Sequence, residues 1–528
     1  MKRINSTNNL ELTQLERGDY QTPLDFAKVV CEYIKLHRGC NPNIIIEPTC
    51  GLGNFIDASI DVFENVKNVY GIEIDNSYYN EILEKFKYRD EEKIKLFNEN
   101  IFEFNFDIIN NSIDNKEEIL IIGNPPWVTN SQLESINSIN LPSKENLKKL
   151  GGLDAMTGKG NFDISEYIIL KLIDKFQGKK ATIAMLCKNT VIRNIVRDIN
   201  LFDLKINNIE MVSFDSKEVF GISCDASLLI LDISDRLETK CNVYEMNEGR
   251  NIIRSFGWSE DNKTFISDLS EYNQISDIDG SCEFEWRQGI KHDCSKVMQL
   301  SKSEDSYING NKVEVELEEN YVYPMLKSSD IKETIINKTR KYVIVTQRKV
   351  GQDTNVIESE APNLWNYLMS NSELLDKRKS SIYKKAPRFA IFGVGEYSFA
   401  PYKVCISGFY KEPKFSLAFR GDKKPIMLDD TCYFIGFDNY KDALITTILL
   451  NSDIVNKFLK SIAFLDSKRP YTKDILKRID IEKLYNLFDY EEFINVKIKL
   501  EVNEIITKEE YLTYNQLFYR DEEAITEE

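Results

Sequence analysis

The sequence predicts an α/β fold in which a doubly wound, mostly parallel, Rossmann-like sheet is followed by an α+β domain. Two observations predict it. Short aliphatic runs alternate with helical patterns through residues 1–235, which is typical of strands joined by crossover helices. Beyond that point, polar segments and then interleaved aromatic and basic residues replace the alternation. With 528 residues, the chain is long enough for two or three domains.

The first domain reads as strands separated by turns and helices. Helical patterns follow the first two strands, to about Phe63 and Phe86, and another covers residues 166–176. Only about a dozen residues separate the last two strands, which is short for a crossover helix, so we expect an antiparallel hairpin at the sheet edge. The predicted strands are residues 44–47, 69–75, 93–100, 119–123, 181–187, 209–214 and 226–233.

Composition and charge divide the chain further. We place the first domain at residues 1–240, a second at 241–480, and a helical and acidic tail at 481–528, ending in DEEAITEE. Net charge is −17, yet residues 321–480 contain 27 Lys and Arg against 18 Asp and Glu. Such segregation fits a local basic surface on an otherwise acidic protein, as nucleic-acid binding requires. Random fluctuation across solvated faces is the alternative.

Several classes of protein are disfavoured. No apolar run approaches the roughly 20 residues needed to span a bilayer, and the N-terminus has no secretory apolar region. Ten cysteines without a C-x-x-C pair indicate reduced thiols, so we expect a cytoplasmic protein. Cys282, His292 and Cys294 lie close together but lack a fourth ligand, so we expect no metal. Two histidines in the whole chain disfavour a histidine base.

The segment IIIEPTCGLGNF, residues 44–55, reads as a strand followed by a tight turn and a helix. Gly51 and Gly53 let the backbone turn against a ligand at the carboxyl end of the strand. Glu47 precedes them and faces either a cationic ligand or the amides of the loop. The spacing of the glycines differs from that of the dinucleotide-binding fingerprint. The loop also lacks the Lys-Ser/Thr pair of a phosphate-binding P-loop.

Polar side chains also end the next two predicted strands. Glu73, in GIEID, is placed to accept both hydroxyls of a ribose, and Ile74 beside it to cover a purine face. Asn100, in NENIF, is placed to hydrogen-bond an adenine edge. Each residue alone is more often structural, but their order at successive strand ends predicts a site for an adenosine that carries no phosphates.

The fourth strand runs into NPPW, residues 124–127. Two prolines cannot continue a central strand, so they form a rigid elbow that presents Asn124 and Trp127. The amide oxygen of Asn124 and a proline carbonyl can accept both hydrogen bonds of one exocyclic NH2 group. Holding both N–H bonds aims the nitrogen lone pair at an electrophile. Trp127 offers a face on which a planar base can stack.

In these motifs and their order, the chain resembles the amino-group DNA methyltransferases that use S-adenosylmethionine, class I methyltransferases, in their gamma arrangement. In that arrangement the cofactor motifs come first and the target-recognition domain last. The resemblance covers residues 17–235 by motif and residues 280–480 by position and character. The segments that carry it are YQTP, EPTCGLGNF, GIEID, NENIF, NPPW, NFDISEYIILK and VFGISCDASLLILDI.

The resemblance implies an adenine-N6 methyltransferase acting on duplex DNA by base flipping. Asn124, Pro125 and Trp127 would be catalytic, and Phe220 would stack on the opposite face of the flipped base. Trp127 stands where the family more often has Tyr, and Asn100 where it often has Asp. Glu73 would hold the cofactor ribose and Asn100 its adenine. The residues implied to bind the cofactor are Tyr20, Thr22, Glu47, Cys50, Gly51, Gly53, Glu73, Ile74, Asn100, Ile101 and Asn124.

Other readings of the same motif remain open. The same Asn-Pro-Pro-aromatic segment occurs in enzymes that methylate a protein glutamine amide or the guanine N2 amine of RNA. Cytosine N4 is also a possible target, although Ser or Asp at the first position of the motif is more usual for it. The long region after the catalytic domain, rich in Arg, Lys and aromatic residues, favours DNA. A DNA-binding module without activity is an alternative of another class, disfavoured by the complete cofactor loop and elbow.

The resemblance also suggests partners. We expect a monomer that binds double-stranded DNA and belongs to a restriction-modification system, with any restriction endonuclease encoded separately. Only about twenty residues precede YQTP, too few for a fused nuclease, and no Asp…Glu-x-Lys cluster is evident. Candidate DNA contacts are Arg340, Lys341, Arg348, Lys349, Lys384, Lys385, Arg388, Lys468 and Arg469.

Overall fold

A computed structural model describes residues 20–89, 92–114, 116–129, 162–261, 263–303, 306–421 and 424–519 of the chain. The predicted acidic end, DEEAITEE, lies outside the described residues. The chain divides into two units, Met1–Ser270 and Glu271–Glu528. The first unit thus extends beyond the boundary expected at residue 240.

A ten-stranded sheet forms the first unit. Its strands are β1 (Ile44–Glu47), β2 (Asn68–Ile72), β3 (Ile94–Phe97), β4 (Ile119–Gly123), β5 (Ala181–Lys188), β6 (Ile206–Ser213), β7 (Ala226–Ile233), β8 (Lys240–Glu245), β9 (Arg254–Trp258) and β10 (Phe265–Ile266). Its helices are α1 (Leu24–Arg38), α2 (Asn54–Val62), α3 (Asn76–Phe86), α4 (Asp107–Asn110), α5 (Ile164–Lys175), α6 (Asn189–Phe202) and α7 (Ser216–Phe220). Helix α8 (Leu269–Ile275) follows at the boundary of the units.

Strand order in this sheet is β10-β9-β8-β6-β7-β5-β4-β1-β2-β3. The pairs from β3 through β5 are parallel, whereas β7 runs antiparallel to both β5 and β6. The prediction of a doubly wound, mostly parallel sheet with an antiparallel hairpin is therefore confirmed. The expected place of the hairpin at the sheet edge is wrong, because β8, β9 and β10 extend the sheet beyond β6.

Burial explains why the aliphatic runs become central strands. Every residue of β1 and of β4 is buried, as expected for parallel strands covered on both faces. Helices α1 and α2 pack together on one side of them, contributing Val30, Ile34 and Phe55 to the core. The prolines after Gly123 end β4, so the chain leaves the sheet at the predicted elbow.

The second unit is α+β, as predicted, and contains two sheets. The five-stranded sheet has the order β11-β21-β18-β19-β16 and the six-stranded sheet the order β14-β13-β12-β17-β15-β20. Their strands are β11 (Arg287–Gln288), β12 (Gln299–Ser303), β13 (Ser306–Asn309), β14 (Glu314–Val315), β15 (Val322–Leu326), β16 (Ile335–Ile336), β17 (Lys341–Ile344), β18 (Tyr402–Ser407), β19 (Phe415–Ala418), β20 (Met427–Leu428) and β21 (Cys432–Phe437).

Helices of the second unit fall into two groups along the chain. Short ones lie among the strands: α9 (Ser295–Met298), α10 (Ile357–Glu360), α11 (Pro362–Ser370) and α12 (Ser372–Asp376). Six follow the last strand: α13 (Tyr440–Leu450), α14 (Asp453–Ile462), α15 (Lys473–Leu476), α16 (Ile481–Asn486), α17 (Tyr490–Lys499) and α18 (Lys508–Thr513). Across the described ranges, no helix is both long and apolar enough to cross a membrane.

Candidate functional site

A pocket lies in the first unit where β1, β2, β3 and β4 end. Parallel strands place their carboxyl ends at one edge of a sheet, so residues far apart in sequence meet there. Gly53, at the start of α2, is the one predicted cofactor residue that does not line the pocket. The others all do: Tyr20, Thr22, Glu47, Cys50, Gly51, Glu73, Ile74, Asn100, Ile101 and Asn124.

The turn after β1 needs both of its glycines. Gly51 and Gly53 have φ angles of +50° and +67°, which side chains rarely adopt. A Cβ on Gly51 would lie 2.5 Å from the side-chain oxygen of Gln21, and one on Gly53 would lie 2.6 Å from Ile82. The turn therefore packs tightly against the segment before α1 on one side and against α3 on the other.

Glu73 follows β2 and is buried, and both of its carboxylate oxygens accept backbone hydrogen bonds. Gly51 N donates to Oε2 at 2.8 Å, and Asp75 N donates to Oε1 at 2.7 Å. These bonds hold the carboxylate rigidly beside the glycine turn. Each oxygen has a second lone pair, so the carboxylate can still accept hydroxyl donors from a ligand.

Glu47 is 3% exposed and accepts a hydrogen bond from Ile56 N in the first turn of α2, at 3.2 Å. The donor is a helix amide rather than an amide of the loop, so the predicted role of Glu47 in holding the loop amides stays a prediction. Burial raises the pKa of the Glu47 carboxyl well above its ordinary value, and the charge of Glu73 raises it further. A cation bound nearby would reverse this shift.

Acidic side chains and unpaired acceptors dominate the polar part of the pocket. No Lys, Arg or His occurs among the described residues that line it. The buried hydroxyl oxygens of Thr22 and Thr49 have no hydrogen-bond partner in the described part of the chain. Buried polar atoms are normally paired, so these atoms point to a polar ligand. The lining carboxylates are Glu47, Glu73, Asp75 and Glu99.

The loop after β3 forms another wall. Asn100 accepts a hydrogen bond from Phe102 N through Oδ1 at 3.0 Å, which shapes the turn. Lys171 of α5 is buried, and its Nζ donates to the carbonyls of Ile101 and Phe102 at 2.8 and 2.7 Å. Burial lowers the pKa of Lys171 to about 8. The lysine thus ties the loop to α5.

The elbow after β4 stands at the side of the pocket. Asn124 is half-buried, and its Nδ2 donates to the main-chain oxygen of Tyr20 at 2.8 Å. Its Oδ1 is buried and has no hydrogen-bond partner among the described residues. Within the described chain, no hydrogen bond reaches the carbonyl of Pro125 either. Two acceptors of adjacent residues are therefore left unsatisfied.

Trp127 is 5% exposed, and its indole N–H donates to the carbonyl of Leu186 in β5 at 3.2 Å. Its ring contacts Phe220 with centroids 5.3 Å apart and planes at 74°, and Tyr20 with centroids 5.9 Å apart. Tyr20 and Phe220 also meet, 6.5 Å apart. We call Tyr20, Trp127 and Phe220 the aromatic cluster. Asn124 is linked to it through Trp127, three residues later in the chain, and through its hydrogen bond to the Tyr20 carbonyl.

The sequence analysis missed several residues of the pocket and its walls. Ile164 and Ile168 of α5 line the pocket, and their spacing of four residues could have been recognised as one helix face. Asn54 and Gln21 line it too, next to predicted residues. Lys171 had no local signal, because only the folded chain brings it to the loop after β3.

The nine candidate DNA contacts all lie in the second unit, and the structure separates them into two groups. Five are engaged within the unit: Arg340 with Asp330, Lys341 with Ser301, Arg348 with Glu396, Arg388 with Asp376, and Arg469 with the carbonyl of Asp430. The other four are exposed, and no described residue pairs with their amines: Lys349, Lys384, Lys385 and Lys468.

Comparison with known proteins gives relatives for nearly the whole chain, although no family model matches it. The type II methyltransferase M.NspV of Nostoc sp. is 41% identical over 479 residues, covering 90% of this chain and 98% of that protein. The type IIL restriction-modification enzyme MmeI, solved in complex with DNA, is similar over 99% of this chain and 75% of that one. That similarity, with 13% identity and a TM-score of 0.50, is one of fold.

We predict that Lys171→Met loosens the loop after β3. The change leaves the buried carbonyls of Ile101 and Phe102 without their donor, which should lower the free energy of unfolding by about 1–3 kcal/mol. Amide hydrogens of residues 98–104 should exchange faster. Urea unfolding and hydrogen-exchange mass spectrometry measure the two effects.

Lys175→Met is the matched control. Lys175 lies one turn further along α5, with its side chain 42% exposed, and among the described residues its ammonium pairs with Asp174 of the same helix. It should change stability by less than about 0.5 kcal/mol. Equal losses in both variants, or unchanged exchange in residues 98–104, would show that Lys171 does not hold the loop.

Proposed function

The chain belongs to the type II methyltransferases, DNA-modifying enzymes of restriction-modification systems that use S-adenosylmethionine, and we propose that it methylates the N6 amine of adenine. The adenine would be flipped out of duplex DNA, since its amine is unreachable within the stack. The observation that carries the proposal is the pair of unsatisfied acceptors at the elbow, Asn124 Oδ1 and the Pro125 carbonyl.

These acceptors suit an exocyclic NH2 group. Such an amine is a poor nucleophile, because its lone pair is delocalised into the ring. Two acceptors that bind both N–H bonds turn the lone pair toward an electrophile, a positioning and electrostatic effect. Neither histidine is available as a base: His37 lies near the end of α1, and His292 is buried in the second unit.

The pocket fits S-adenosylmethionine on its own chemistry. That cofactor carries a sulfonium and an ammonium group on an adenosine without phosphates, and it supplies an electrophilic methyl group when bound. Four carboxylates and no cationic side chain line the described pocket, which favours such a ligand over a nucleotide triphosphate. Thr22 and Thr49 offer unpaired hydroxyls, Glu73 would hold the ribose, and Asn100 with Ile74 and Ile101 would enclose the adenine.

The aromatic cluster would receive the flipped base. A base stacked between Trp127 and Phe220 needs parallel rings about 7 Å apart, two contacts of about 3.5 Å each. The rings instead meet edge-on at 5.3 Å, so one ring must turn and also move away by about 2 Å. Trp127 is anchored through its N–H, whereas Phe220 is half-buried at the end of the five-residue helix α7. Phe220 is therefore the ring that turns.

The second unit would supply the contact with duplex DNA. Lys349, Lys384, Lys385 and Lys468 are exposed and unpaired within the described chain, so their amines are available to phosphates. Cytosine N4 remains the second candidate target, because the elbow's acceptors fit either exocyclic amine.

We predict that Asn124→Ala abolishes transfer while S-adenosylmethionine still binds. Loss of one of the two acceptors should lower kcat by at least about 100-fold, as for other groups that stabilise a transition state. The glycine turn and Glu73 are untouched, so cofactor affinity should stay within about threefold. Transfer of a labelled methyl group and isothermal titration measure the two quantities. A variant with normal kcat would show that the elbow is not the active site.

The same assay identifies the target. Mass spectrometry of nucleosides from DNA methylated by the wild-type enzyme should contain N6-methyladenine. N4-methylcytosine in its place would establish the second candidate. Methylated protein or RNA with unmodified DNA would refute the proposal altogether.

We predict that cofactor binding releases a proton from Glu47. The raised pKa leaves this carboxyl protonated in the free enzyme at pH values below it, and a bound cation displaces that proton. Affinity should therefore rise with pH, by at most about tenfold per pH unit, until the pKa of Glu47 is passed, and then level off. Titrations in two buffers of different ionisation enthalpy count the protons. Glu47→Gln should show neither proton release nor this pH dependence; if it retains both, another group is responsible.

We predict that Trp127→Phe lowers kcat, because the elbow loses its anchor to Leu186. The removed hydrogen bond should cost about 1 kcal/mol of stability. Trp258→Phe is the matched control, since the Trp258 indole donates to the carbonyl of Arg197 at 3.0 Å and does not line the pocket. Both variants should lose similar stability, but only Trp127→Phe should lose about tenfold in kcat. Equal kcat in the two variants would refute the anchoring role.

A further inference from the structure

The amide of Asn124 has one orientation in the structure, and the main chain at Tyr20 sets it. A carboxamide carries an acceptor and a donor of nearly the same shape, and a half-turn about its last bond exchanges them. The donor, Nδ2, lies 2.8 Å from the carbonyl oxygen of Tyr20. The acceptor, Oδ1, is buried and has no partner among the described residues. With the amide reversed, two oxygens would face each other.

The carbonyl of Tyr20 is itself held in place by the residues that follow it. Leu52 N donates to the side-chain oxygen of Gln21 at 3.2 Å, and Asn54 Nδ2 donates to the main-chain oxygen of Thr22 at 2.9 Å. Residues 20–22 are thereby fastened to the glycine turn. The lack of a Cβ on Gly51 leaves room for Gln21 in this position.

We propose that the main-chain carbonyl of Tyr20 is a positioning group that keeps Asn124 Oδ1 directed at the target amine. The inference rests on the proposed function, in which Oδ1 accepts a hydrogen bond from that amine. A reversed amide would present N–H groups to the N–H groups of the substrate, and transfer would fail. Residues 20–22 also line the cofactor pocket, so one segment serves both the cofactor loop and the catalytic amide.

Asn124→Asp tests the proposal, because it keeps an acceptor toward the substrate but replaces the donor toward Tyr20. As a carboxylate, the new side chain places a negative oxygen against the Tyr20 carbonyl. As a neutral carboxylic acid, it can donate O–H to that carbonyl and still accept from the amine. If only an acceptor were needed, the carboxylate would serve at any pH.

The kcat of Asn124→Asp, relative to wild type, is measured from pH 5.5 to pH 9 at saturating S-adenosylmethionine. At pH 8 we expect the kcat of Asn124→Asp to be at least about 100-fold below that of wild type. The ratio of the two kcat values should rise about tenfold for each pH unit by which the pH is lowered toward the pKa of the new carboxyl. A ratio that is near one, that does not vary with pH, or that stays negligible at pH 5.5 would overturn the proposal. Titration with S-adenosylmethionine verifies that the variant is folded.

Gln21→Ala provides a second test that leaves Asn124 intact. It removes the acceptor for Leu52 N, so the carbonyl of Tyr20 should lose its fixed position. We expect kcat at saturating S-adenosylmethionine to fall by about tenfold with an unchanged pH profile. An unchanged kcat would overturn the role of the segment. If Asn124→Ala is inactive while both of these variants transfer normally, the proposed function stands and only the inference fails.

Discussion

The parallel pairing of β3, β2, β1 and β4 is the constraint on which the site depends. β1 pairs in register with β2 and β4, so that Ile44 lies opposite both Asn68 and Ile119. All of these strands therefore end at one edge of the sheet. Glu47, Glu73 and Asn124, which are widely separated in sequence, meet there without any loop having to reach across the sheet.

This convergence has an electrostatic consequence. Burial disfavours the charged form of Glu47, and the charge of Glu73 at the neighbouring strand end adds to the effect. The backbone offsets part of the cost, since Glu73 accepts two amide hydrogen bonds and Glu47 accepts one. No cationic side chain among the described residues that line the pocket balances the charge of these carboxylates. A cationic cofactor would balance the remaining negative charge of the pocket. The pocket therefore favours a cationic ligand.

The parts of the site that the sequence predicted are those with a local signature. Glu47, Glu73 and the elbow each follow an aliphatic strand directly, so strand patterning located them. The anchors made by Lys171 and Leu186 connect segments distant in sequence, and no spacing rule indicates such pairs. The sheet extension was missed for a related reason. Strands β8 and β9 carry polar and charged residues among their apolar ones, so their pattern resembled the polar segments expected after residue 235.

The elbow combines these observations. Two prolines make it stiff and remove two backbone donors, and no backbone N–H of the described chain bonds the carbonyl of Pro125. The remaining side-chain donors are directed into the protein, Asn124 toward Tyr20 and Trp127 toward Leu186. Both polar side chains of the elbow thus donate to the protein interior, while Asn124 Oδ1 and the Pro125 carbonyl have no partner among the described residues. A tryptophan suits this arrangement, because its ring nitrogen can only donate, whereas a phenol would also bring an acceptor into the buried contact with β5.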